Sequence, residues 1–93
     1  MAVLIDLVHA RKARRLFGIL LERYGLRYFL EGEKERAFKI DNSKLEEAVR
    51  MCADWAAMRT GESANDETLA WIRTDVRRLL IQAVAESMVH AGY

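Results

Sequence analysis

The sequence contains no proline, a single cysteine, and five glycines that never fall together. Without proline there is no polyproline segment, and nothing breaks a long helix from within. One thiol cannot close an intramolecular disulfide and is too few for a cysteine-based zinc site. Scattered glycines exclude a glycine-rich phosphate loop, and none of H-E-x-x-H, C-x-x-C or G-x-S-x-G occurs. No apolar run approaches the roughly 18 residues that suggest a membrane span. The opening MAVLIDLVHARKARR puts its apolar residues before its charges, the reverse of a secretory signal. These absences read as a cytoplasmic, non-enzymatic protein with no membrane segment, cofactor or metal.

What is present is a chain of 93 residues, 52% hydrophobic and 31% charged, the composition of an ordered helical protein. A length of 93 residues leaves room for one core, so residues 1–93 form a single domain. The formal net charge is +1, but it is unevenly spread. Residues 9–28 carry six basic side chains against one acid, whereas residues 31–68 carry six against ten. A near-neutral total argues against a nucleic-acid specialist, although a segregated basic face can still attract a polyanion.

Helix boundaries are marked by caps. Gly25 follows LLERY as a left-handed C-cap residue would, so helix 1 ends at about Tyr24. Ser43 with Glu46 has the spacing of a capping box, and Gly61 closes the same segment, giving helix 2 over about 44–60. Ser63 or Asn65 then caps a long helix 3 over about 66–90, with acids in its first turn. Between helices 1 and 2, Tyr28 with Leu30 and Phe38 with Ile40 alternate with polar neighbours around Gly32, which predicts a short hairpin within residues 26–40 or, failing that, more helix. Residues 2–8 suit either a strand or the first turns of helix 1. The expected fold is therefore mainly α: three helices, a short β-hairpin between the first two (α-ββ-α-α), and a long C-terminal helix.

At 100° per residue, Val3, Ala10, Ala13, Phe17, Leu20, Leu21 and Tyr24 share one side of helix 1, and the basic run projects from the other. Helix 2 is expected to bury Leu45, Ala48, Val49, Cys52, Trp55 and Ala56, with Cys52 a core residue rather than a nucleophile. Met51 and Met58 lie on its outer side. Helix 3 offers Leu69, Ile72, Val76, Leu79, Leu80 and Ala83 to the core, yet is also apolar elsewhere around its circumference, which calls for cover on both sides. His9 and His90 are expected to face solvent or cap a helix.

Two binding hypotheses follow. The leading one is an interaction module that forms a homodimer or docks on a protein partner through the outer side of helix 3, using Trp71, Arg78, Ile81, Ala85, Met88 and Val89, since tryptophan and arginine dominate interface energetics. The alternative is sequence-independent nucleic-acid association through Arg11, Lys12, Arg14 and Arg15, which would contact the backbone without reading bases.

Overall fold

The computed structural model describes residues 5–31 and 39–90, the side chains of residues 88–90 excepted. Helix α1 (Leu7–Tyr24) leads through a 3₁₀ turn (Leu26–Phe29) into strand β1 (Leu30–Glu31), which pairs with β2 (Lys39–Ile40); α2 (Asn42–Thr60) and α3 (Asp66–His90) follow. The expected α-ββ-α-α fold is thus the observed one. The hairpin is antiparallel, with Leu30 opposite Ile40 and Glu31 opposite Lys39, and Lys39 Nζ lies 3.5 Å from the Glu31 carboxylate across the strands. Val3, Gly32 and Phe38, and the turn between the strands, lie outside the described residues.

The start of α1 is set by Asp6, whose carboxylate accepts the His9 N–H at 3.1 Å while its own N–H donates to Thr68 Oγ1 at 3.0 Å. Thr68 is buried, and its N–H donates to Asn65 Oδ1 at 2.7 Å. One hydroxyl therefore joins the first turns of α1 and α3, which run parallel and pack on each other, while α2 runs antiparallel to both. Asn65, one of the two expected caps, is the residue that caps α3. The structure places helix from Leu7 onward, so the strand alternative fails where residues 2–8 are described.

Three local readings are corrected. Gly25 does end α1, its N–H bonding to Leu21 O at 3.0 Å, but its φ of 83° and ψ of 157° are not the left-handed helical cap. This region is essentially restricted to glycine, and it turns the chain straight into the 3₁₀ segment, so Tyr28 sits on a helical turn and not on a strand. The expected capping box is not used: Asp41 caps α2 by accepting from Ser43 N and Lys44 N at 3.1 and 3.2 Å. Glu46 is released to bind Arg73 of α3 in a two-bond fork, Nε to Oε1 at 2.6 Å and Nη2 to Oε2 at 3.2 Å. Gly61 closes α2 in the left-handed conformation, as expected.

The core is built where α1 meets α2. Ala10, Ala13, Phe17 and Leu20 of α1 face Leu45, Ala48, Val49, Cys52, Ala53 and Ala56 of α2, and α3 adds Ile72, Val76 and Leu80. The small side chains let the helices approach closely, and the Phe17 and Phe29 rings, 5.5 Å apart, fill the end nearer the hairpin. Ala53 occupies the buried position expected for Trp55, which is partly exposed and carries the Arg59 guanidinium 4.9 Å from its ring centroid. His9, expected at the surface, is 1% exposed and donates from Nε2 to Ala53 O at 3.1 Å. Its place among core residues was visible in its spacing, four residues before Ala13 and seven before Leu16.

Candidate interaction surface

The outer side of α3 is open along its described length. Glu67, Trp71, Thr74, Arg78, Ile81 and Ala85 are all exposed, and they recur in alternating steps of four and three residues. Such steps hold side chains on one straight stripe of a helix, the spacing by which one helix presents itself to another. Of the residues expected to form an interface, Trp71, Arg78, Ile81 and Ala85 lie on this stripe; the side chains of Met88 and Val89 lie outside the described residues. Trp71 is 42% and Ile81 52% exposed, against under 2% for Ile72, Val76 and Leu80 on the opposite side of the helix.

Two concave features flank the stripe. Near its start, Trp71 borders a groove of about 150 Å³ shared with α1, lined by Leu7, Ala10, Arg11, Arg14, Trp71 and Asp75. Arg14 Nε reaches the Asp75 carboxylate at 3.7 Å across it. The groove brings the tryptophan of one hypothesis beside two arginines of the other, which the sequence kept sixty residues apart. Further along, a cavity of about 180 Å³ lies between the hairpin and α3, lined by Leu30, Ile40, Ile81 and Val84. It adjoins a larger hollow of about 320 Å³ bounded by Gly25, Leu26, Arg27, Leu30, Val84 and Ser87.

On α1 the basic run projects outward as expected: Arg11, Arg14 and Arg15 are exposed and Lys12 is partly so. Three apolar side chains stand among them, Leu7 at 55% exposure together with Val8 and Ile19. Mixed arginine and aliphatic surface is the composition of a protein interface more than of a phosphate track. Leu7 was missed in the sequence because its role depends on Trp71, a neighbour only in the folded chain.

Features suggestive of chemistry are quiet. Cys52 is fully buried, and loss of hydration pushes its thiol up to about 12, so it carries no thiolate near neutral pH. No group of three or more histidine, cysteine or carboxylate side chains able to hold a metal occurs among the described residues, and none of their helices is long and apolar enough to cross a membrane. Every buried side-chain nitrogen or oxygen among them has a hydrogen-bond partner. A cavity of about 230 Å³ between α1, the 3₁₀ turn and α2 is walled by Tyr24 stacked on Tyr28 at 4.9 Å, with Lys44 Nζ 4.4 Å from the Tyr28 ring centroid and Met51 beyond. These contacts hold the 3₁₀ turn onto α2. No family model, curated protein or solved structure matches the chain.

Proposed function

We propose that this protein is a non-enzymatic interaction module that docks a protein surface on the outer stripe of α3. The observation that supports it most is Trp71, which stands 42% exposed beside Leu7 at 55%, with Arg11 and Arg14 at its rim. A half-open tryptophan ringed by aliphatic and arginine side chains is the makeup of an interface anchor, costly to leave in water and rewarding to cover. The test is site-specific photo-crosslinking in the native host. A photoreactive residue at Thr74 on the stripe should give a discrete protein adduct, and the same residue at Met58, on the far side of α2, should not. Equal yields at both positions would contradict the proposal.

One observation supports a second reading. The sequence offered no aromatic residue for the basic run, yet Trp71 lies in the same groove as Arg11 and Arg14, so a base stacked on the indole with its backbone on the arginines is a physical alternative. It requires a gel shift with single-stranded oligonucleotides at low salt. Arg11→Gln with Arg14→Gln should then flatten the salt dependence by about two units. No shift at low salt ends this reading.

A further inference from the structure

We infer that the partner on this face is an acidic, amphipathic helix, laid in the cleft between α1 and α3 with its apolar side over Trp71 and Leu7 and its carboxylates against Arg11, Arg14 and Arg78. The inference rests on the reading of α3 as the docking surface and adds the chemistry of what docks there. Helices α1 and α3 run parallel, joined at Asp6 with Thr68 and again, two turns on, at Arg14 with Asp75. The groove of about 150 Å³ between them takes its lining from both helices. Each rim of the cleft advances in steps of four, three and four residues: Leu7, Arg11, Arg14 and Gly18 on α1, Trp71, Asp75, Arg78 and Gln82 on α3. Such steps keep positions in line along a helix, and two parallel rims of this kind, each about 17 Å long, form a trough that fits a third helix. Asp75 is partly buried and the other seven are exposed. Gly18 has open space where a Cβ would stand, which keeps the trough clear beyond Arg14.

Charge selects an acidic occupant. Arg11 and Arg78 have no ion pair among the described residues, and Arg14, its side chain 56% exposed, holds Asp75 only at 3.7 Å, beyond hydrogen-bond reach. Three arginines thus border the cleft against the one carboxylate of Asp75, with Arg15 just outside the α1 rim and Glu67 one turn before Trp71. Arg11 repels Arg14 and Arg15 at helical contact spacing, a strain that carboxylates of a partner relieve. A continuous phosphate chain fits less well. Asp75 lies on the wall of the groove, and Leu7, Ala10 and Trp71 offer the apolar cover that a leucine or phenylalanine face uses.

The test is selection on the full chain from a displayed library of helical peptides of about 18 residues. Leucine is fixed along one face, and every other position is drawn from aspartate, glutamate, lysine, arginine, glutamine and serine. Peptides retained by wild type should carry a net negative charge. A retained peptide, labelled and titrated by fluorescence anisotropy, should bind ~30-fold or more weakly to Trp71→Lys, as loss of an anchor does. Arg11→Glu with Arg14→Glu should weaken it by ~10-fold or more. Both variants change exposed positions and are checked for unchanged helical circular dichroism, and Met58→Lys should bind as wild type does. Retained peptides without a negative bias, or binding indifferent to these substitutions, overturn the acidic helix. A discrete crosslinked adduct from Thr74 would then leave the α3 reading standing, and the lack of one would end both. A wild type that binds a single-stranded oligonucleotide and no peptide gives the cleft to nucleic acid. A solution mass of two chains that falls to one on Trp71→Lys gives it to a second copy. Either result overturns the inference.

Discussion

Helices α2 and α3 are both rich in apolar residues, but they dispose of them differently. The core side of α2 is complete: Leu45, Ala48, Val49, Cys52, Ala53 and Ala56 are all buried against α1 and α3. Over its longer span α3 buries Thr68, Ile72, Val76 and Leu80, packs Leu69 and Leu79 partly, and leaves Trp71, Ile81 and Ala85 in solvent. The difference lies in what each helix leaves exposed. Helix α2 carries its buried residues on one stripe against α1 and α3 and leaves only the flexible Met51 and Met58 among its large apolar side chains exposed, whereas α3 exposes the rigid, bulky Trp71 and Ile81. The buried apolar residues of both helices therefore report on folding, and the exposed stripe of α3 is where the proposed docking is to be read.

The covered region is probed most strongly at Phe17, which α1 buries completely against Phe29. Phe17→Ala should destabilise the fold by about 3–5 kcal/mol, read by urea unfolding, through lost burial and the cavity left against Phe29. A loss below 1 kcal/mol would mean that the α1–α2 packing is not the stabilising centre. His9→Ala should cost less, about 1–3 kcal/mol, because it removes a buried hydrogen bond to Ala53 O and the ring that fills the site. The same urea titration reads it, and His9→Ala matching wild type would place the imidazole outside the core.

The smallest effect belongs to the exposed fork between α2 and α3. The Arg73 guanidinium hydrogen-bonded to Glu46 holds its carboxyl below the usual carboxylate range. A lowered folded-state value means that the pair stabilises the fold above that range and loses its contribution as pH falls through it. Both side chains are well exposed, so the contribution is about 0.2–1 kcal/mol. Glu46→Gln should remove that much at neutral pH and shallow the acid limb of a stability–pH curve. An unchanged acid limb would show that the fork adds nothing to stability.

The sequence made the helices legible because their ends carry chemical marks: Gly61 needs a positive φ, Asn65 caps, and the core stripes of α1 and α3 repeat at helical spacing. The 3₁₀ turn was not legible, since one turn of four residues is too short to show a period and Tyr28 and Leu30 mimic strand alternation. The choice of Asp41 over Ser43 as cap depended on where the hairpin delivers the chain: Asp41 N–H bonds to Phe29 O at 2.9 Å, which fixes its carboxylate over the end of α2. For the surface, the α3 residues could be named from their mismatch with a single core stripe. Their neighbours Leu7, Asp75, Leu30 and Ile40 could not, because each meets the stripe only through tertiary packing.

The central claim is that Trp71 and Ile81 serve association and not the fold of one chain. It is tested most directly by guanidinium unfolding of wild type and of the Trp71→Lys, Ile81→Glu double variant at two protein concentrations about a hundredfold apart. The variant midpoint should be independent of concentration and match the dilute wild type within about 0.5 kcal/mol, the usual range for surface substitutions. A double variant destabilised by several kcal/mol at the lower concentration would contradict the claim and return both side chains to the core.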